Sequence, residues 1–147
     1  MLRIGKLTDY AMLILSQMAK EPYAVLSATS LADKLHLMPP TVSKVLKMLS
    51  EAQLVQSVRG AEGGYHLARE AVAITISDVI TAMEGNVAMT ECCESPGLCV
   101  IDTLCAVREN WLKINGLISD LLKGLTIADL LKPLSPTRVI EGLLHDK

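Results

Sequence analysis

Phenylalanine is missing from this 147-residue chain, and aromatics make up only 3% of it although half of the residues are apolar. A core of stacked rings is thereby excluded, and the interior has to be assembled from Leu, Ile, Val, Ala and Met, a mixture that favours helices. Also lacking is any run of about 18 uninterrupted apolar residues, so no membrane-spanning helix is expected. The opening "MLRIGKLTDYAMLILSQMAKEPY" is interrupted by Asp9, Tyr10, Ser16 and Gln17, and no small-residue cleavage site follows, which reads against a secretory signal. A soluble cytoplasmic protein is the expectation, with length for one ordinary domain or for a small domain carrying a helical arm. Cysteine is absent before Cys92 and after Cys105: Cys92, Cys93, Cys99 and Cys105 all fall within "TECCESPGLCVIDTLC". Cytosolic thiols are normally kept reduced, so this cluster points to a metal or redox site before a disulfide framework.

Charge is sparse as well, with a net of -2, but it is unevenly spread. Residues 1–70 hold eight Lys or Arg against six Asp or Glu, whereas residues 71–147 hold six against ten. The first half is the candidate for an anionic partner.

Within that half the punctuation is regular. Leu7 to Ala19 carries apolar residues at Leu7, Ala11, Leu15 and Met18, widened by Met12 and Ile14, and reads as a helix that ends before Pro22. Ser27 can cap a short helix "ATSLADKL". After the tight connection "HLM", Pro39 and Pro40 suit the start of another helix, because first-turn amides have no intrahelical partner to lose. Two short helices joined by a tight turn outline a helix-turn-helix. In the second, Val42, Val45, Leu46 and Leu49 recur at core-facing spacing and leave Thr41, Ser43, Lys44, Lys47 and Ser50 towards solvent. That set is small, polar and basic, which suits a recognition helix in a major groove; an ordinary surface helix is the alternative.

The next segment favours the first of these. "LVQSV" and "YHLA" are strand-like runs joined by "RGAEGG", whose glycines permit the conformations of a hairpin. A helix-turn-helix followed by a hairpin with an arginine at its tip is a winged helix, and Arg59 could enter a narrow minor groove. His66 reads as a strand residue and not as a ligand.

The second half reads as an arm and not as a second globular domain. "TISDVITAMEG" is expected to be a helix with Thr75 and Asp78 at capping-box spacing and Gly85 as its stop. The cysteine loop, 86–101, follows. From about Asp102 to Lys123, Leu104, Val107, Trp111, Ile114, Ile118, Leu121 and Leu125 alternate spacings of three and four, a heptad seam. Such a helix has little to pack on in so small a chain, and pairing with its copy in a homodimer is expected, matching the two-fold symmetry of a palindromic operator. A short capped helix, Thr126 with Asp129, closes this unit at 132, and 133–147 is expected to be a loosely held tail. The domains expected are therefore 1–85, 86–101, 102–132 and the tail.

These residues together resemble the winged-helix iron-sulfur regulators of the IscR and NsrR type, within the Rrf family of bacterial transcription factors. The resemblance spans roughly residues 1–132 and rests on "LTDYAMLIL", "TVSKVLKMLSEAQLV", "SVRGAEGGYHLAR" and the five-residue gaps between Cys93, Cys99 and Cys105. It is most like the regulators of the SUF iron-sulfur assembly operon. The implied fold is mainly α with a small β-hairpin wing, a winged helix-turn-helix plus a long dimerisation helix. The implied function is a dimeric DNA-binding sensor that controls iron-sulfur assembly genes.

Thiolates are soft ligands suited to zinc, copper(I) and iron-sulfur clusters. Structural zinc usually takes closer cysteine pairs than these gaps allow, and adjacent cysteines can scarcely both turn towards one metal. A [2Fe-2S] or [4Fe-4S] cluster on Cys93, Cys99 and Cys105 is the reading preferred, with zinc or free redox thiols as alternatives. Where IscR-type members place a histidine, this chain has Arg108, which cannot ligate. NsrR-type members use an aspartate from the partner subunit, and the matching position is Asp9; a first-turn acid favoured by the helix dipole is its other reading. Cys92 is a further candidate. The resemblance implies base contacts from Thr41, Ser43, Lys44 and Arg59 and a phosphate contact from Lys47, with Pro40 and Gly60 beside them. No second constellation of acid, base or nucleophile accompanies the cysteines, so no enzyme is expected. A thiol-based redox or nitric oxide repressor without a cluster stays open.

Overall fold

A computed structural model describes residues 3–144. Helix α1, Lys6–Lys20, packs Ala11, Ile14, Leu15 and Met18 inward. α2, Ala28–Leu35, begins where the Ser30 amide donates to the Ser27 hydroxyl (3.0 Å), as a serine N-cap should. It ends with His36 in the left-handed region (φ 53°) and with the Leu37 amide donating to the Ala32 carbonyl (2.9 Å), a Schellman-type closure. α3, Pro39–Glu51, starts on the two prolines and buries Val42, Val45, Leu46 and Leu49. Strands β1, Val55–Val58, and β2, Gly64–Leu67, pair antiparallel with Val55 opposite Leu67 and Val58 opposite Gly64. Leu26 and Tyr65 exchange backbone bonds (2.9 and 2.8 Å), tying the hairpin to the loop before α2.

α4, Ile76–Glu84, carries the expected capping box: Asp78 N–H donates to the Thr75 hydroxyl (3.0 Å) and Thr75 N–H to the Asp78 carboxylate (2.9 Å). The single-turn α5, Glu91–Glu94, holds Cys92 and Cys93. α6, Arg108–Gly124, is the longest helix and buries no residue fully. Its end returns to the core: Ile76 N–H donates to the Leu125 carbonyl and Ile127 N–H to the Ile74 carbonyl, both at 2.9 Å, and Ile127 is fully buried beside residues of α1 and α3. A 3₁₀ turn, Asp129–Leu131, leads to α7, Pro136–Leu144.

Two expectations need correction. The long helix does not start near Asp102. Residues 99–107 form consecutive tight turns, with Asp102 N–H donating to Cys99, Leu104 to Ile101 and Arg108 to Cys105. The β-branched Val100, Ile101 and Thr103 disfavour helix there, and the Asp102 carboxylate stabilises the turn by accepting from Gly97 N–H (3.2 Å) and from Arg108 Nε. Leu104 and Val107 therefore precede the helix, and the heptad seam is only partly helical. Nor are residues 136–144 loosely held. Ser135 accepts from Arg138 N–H (3.1 Å) just ahead of Pro136, and Arg138 bridges both oxygens of Asp129 (2.7 and 2.8 Å) and the Gly124 carbonyl (2.9 Å). Gly124 and Gly142 meet so closely that a Cβ on Gly124 would lie 2.0 Å from the Gly142 carbonyl oxygen, so α7 crosses α6 backbone to backbone. Residues 145–147 of the expected tail lie outside the described residues.

Candidate functional site

The helix-turn-helix places its polar residues as the periodicity requires. Ser43, Lys44 and Lys47 are exposed on α3, Pro40 is exposed at its first turn, and Thr41 and Ser50 are half-buried. Burial of the opposite face leaves no freedom in which side points outward. The hairpin follows α3 through Leu54, whose N–H donates to the Leu49 carbonyl (2.9 Å). At its tip Arg59 and Gly60 are exposed, and Gly60 adopts φ +121°, a conformation that a side chain would strain. Glu51 and Glu62 are the exposed acids of this surface. His66 is a half-buried strand residue whose Nδ1–H donates to the Leu67 carbonyl (2.8 Å).

All four cysteines are free and half-buried. α5 turns Cys92 and Cys93 towards one hydroxyl, with their Sγ atoms 3.1 and 3.2 Å from Thr90 Oγ1. Cys93 also donates to the Trp111 carbonyl (3.6 Å), which holds α5 against the first turns of α6. Asn115 fastens the loop's beginning: its Oδ1 accepts from Met89 N–H (2.9 Å) and its Nδ2 donates to the Val87 carbonyl (3.2 Å). Arg108 lies at the end of the loop. Its guanidinium is held above its ordinary pKa by the Asp102 carboxylate, which accepts from Nε. In return, Arg108 and the Gly97 amide hold Asp102 below the usual carboxylate range. A permanent cation, paired to Asp102, thus follows the last cysteine by three residues.

Among the described residues, no three Cys, His, Asp or Glu side chains converge as a metal site requires. Asp9 is exposed in the first turn of α1 and is not gathered with the cysteines of its own chain. The donor chemistry nevertheless fits an iron-sulfur cluster: three evenly spaced unpaired thiols, one cation to offset their charge, and a loop fastened at both ends. The fit is by donor type, and within one chain the set is incomplete.

The expected dimer residues divide into two groups. Leu104 is 87% exposed and Val107 and Ile114 are exposed, whereas Trp111, Ile118 and Leu121 are half-buried, and Leu121 packs with Ile76, Ile80 and Leu125. The most exposed apolar residue on α6 is Leu117, at 62%, which the seam omits. Sequence reasoning also missed Thr90, Asp102 and Asn115. The signal for Asn115 was available, as a polar residue amid Trp111, Ile114 and Ile118.

Among the described residues, no helix is long and apolar enough to cross a membrane. The Rrf2 family model, described as an iron-dependent transcriptional regulator, matches residues 4–133. The HTH-type transcriptional regulator IscR of Vibrio campbellii is 36% identical over 91 residues, covering 62% of this chain and 54% of its own length. The solved structure of CymR, the global cysteine regulator of B. subtilis, is similar with TM-score 0.75 and 32% identity, covering 89% of this chain and 97% of CymR. IscR of T. potens gives TM-score 0.68 and 28% identity, covering 88% and 86%.

Proposed function

Because the chain belongs to the Rrf2 family of transcriptional regulators, we propose that it is a homodimeric cytoplasmic sensor of an iron-sulfur cluster that controls iron-sulfur assembly genes of the suf type. DNA binding and control of transcription come with the family, and the chain is a regulator and not an enzyme. The observation that carries the finer reading is the cysteine segment, whose three evenly spaced thiols are free, with Cys93 bonded to α6 and the loop's beginning fastened by Asn115. Cys93, Cys99 and Cys105 would hold a [2Fe-2S] or [4Fe-4S] cluster, and the partner subunit's Asp9 or the chain's own Cys92 would complete the set. When bound, such a cluster supplies iron that responds to oxidants and nitric oxide.

The other residues do work that needs no cluster. Lys44 and Lys47 present cations to phosphate and base edges from α3, Pro40, Thr41 and Ser43 line the approach, and Arg59 with Gly60 reaches from the wing. The apolar residues left outward on the arm, Leu104, Val107, Ile114 and Leu117, suit a second copy of the arm, which brings two recognition helices to one palindromic site. Coupling between loop and operator would be about 1–3 kcal/mol in such a sensor.

Anaerobic purification with iron, sulfide and zinc analysis and an absorption spectrum tests the reading. Iron and sulfide in near-equal amounts, lost in Cys99→Ala, are expected; none after reconstitution would sink it. Asp9→Ala should alter the spectrum if Asp9 is the fourth donor. Lys44→Ala should weaken operator binding by about 1–3 kcal/mol in a fluorescence-anisotropy titration, with a smaller salt slope if the contact is to phosphate. A second reading, a thiol-based repressor without a cluster, draws on the four free thiols, of which Cys92 and Cys93 turn towards the same Thr90 hydroxyl. It predicts colourless protein whose DNA binding follows thiol oxidation.

A further inference from the structure

Glu84 ends α4, the last helix of the winged-helix unit, where the chain leaves through Gly85 for the cysteine loop. Glu84 Oε1 accepts from the Gly5 N–H at 2.7 Å and from the Thr8 hydroxyl. Gly5 is the N-cap of α1, and its own N–H, one of the helix-start donors without an intrahelical partner, finds its acceptor on a residue 79 positions away. Thr8 is 1% exposed, and a hydroxyl so buried needs a partner. A carboxylate at a helix N-terminus is also favoured by the helix dipole. The fit is close: a Cβ on Gly5 would stand 2.9 Å from Glu84 Oε1. Asp9 is the residue after Thr8, in the turn that this carboxylate holds, and its own N–H donates to the Gly5 carbonyl (3.1 Å).

We propose that Glu84 is a positioning residue: by capping α1 through Gly5 and Thr8, it sets the stance of Asp9 and joins the base of the cysteine loop to the DNA-binding unit. The proposal rests on the reading of Asp9 as a donor to the partner's loop. Each chain thereby links the donor it lends to the cysteines it keeps.

The test uses the full-length homodimer, with Glu84→Ala, Glu84→Gln, Gly5→Ala, Asp9→Ala and the double variant Asp9→Ala/Glu84→Ala. In apo protein, hydrogen exchange at the Gly5 amide should quicken in Glu84→Ala and recover in Glu84→Gln, which keeps an acceptor oxygen. In reconstituted protein, cluster loss to a chelator should quicken on the order of 10-fold in Glu84→Ala, with a changed visible circular dichroism spectrum. Gly5→Ala should move both in the same direction by less, and the double variant should lose its cluster no faster than Asp9→Ala alone. Faster Gly5 exchange in Glu84→Ala with unchanged cluster loss and spectrum would overturn the proposal, leaving Glu84 as a structural cap. An Asp9→Ala variant with wild-type spectrum and cluster loss would overturn the donor reading and the proposal together, and that row separates the two failures.

Discussion

The winged helix and the arm are made from similar residues and reach opposite ends. In the first, α1, α3 and the hairpin bury Ile14, Leu15, Leu46, Leu49 and Val55 almost completely, and Leu7 and Met12 of the same stripe pack half-buried against them. In the second, α6 buries none of its residues fully, while Val100 at 99% and Leu104 face outward. Apolar patterning of equal strength thus yields a finished core where several elements converge and an unfinished surface where one helix stands at the edge. The exposed polar residues of α3 and the wing rest on the finished part and the thiols on the unfinished one.

The largest effect that probes this contrast is Leu46→Ala. It should cost about 2–5 kcal/mol of unfolding free energy by urea titration, through lost burial and a residual cavity. A cost under about 1 kcal/mol would mean that the core is loosely packed. An intermediate effect is expected where the arm is finished by polar contacts. Arg138, accompanied by the Thr126 hydroxyl and amide, holds Asp129 down to about 2 from its ordinary 3.8. Because the folded value lies below the unfolded one, this stabilisation is present above about pH 4 and is lost as pH falls from there towards about 2. Asp129→Asn should cost roughly 1 kcal/mol at neutral pH, after allowance for solvent screening, and should flatten the acid limb of a melting-temperature profile. An unchanged acid limb would mean that α7 docks through the Gly124–Gly142 crossing alone. The smallest folding effect should come from Leu117→Ala, within about 0.5 kcal/mol. The same variant should weaken self-association in sedimentation velocity, and an undisturbed dimer would show that the interface lies elsewhere on the arm.

The winged helix was legible because its cues are local and mutually consistent. Ser27, Pro39, Pro40, Thr75 with Asp78, and the glycines of the wing each act within a few residues, and the buried faces agree with them. The arm was misread where a pattern persisted without a helix beneath it. Leu104 and Val107 continue the three-four spacing, but nothing in that spacing registers that Asp102 folds the chain back on Gly97 and Arg108. The tail was misread although Ser135 and Pro136 are ordinary start signals. What fixes α7 is long-range: a backbone crossing at two glycines and an ion pair nine residues apart. At the candidate site the thiols were readable from spacing, and Asn115 stood out as a polar residue within the apolar seam, but its partners 26 and 28 residues away and the reach of Glu84 to Gly5 leave no trace in the local pattern.

The short pairing between residues 74–76 and 125–127 has a mechanical consequence. It clamps the far end of α6 to the rigid core, while the cysteine loop sits at the near end. A helix of 17 residues is about 25 Å long at 1.5 Å per residue. With the clamp as fulcrum, a tilt of about 5° corresponds to roughly 2 Å at the loop end, a distance comparable to a metal-ligand bond, so the bonds of Asn115 and Cys93 at that end fix the loop's position to a fine tolerance.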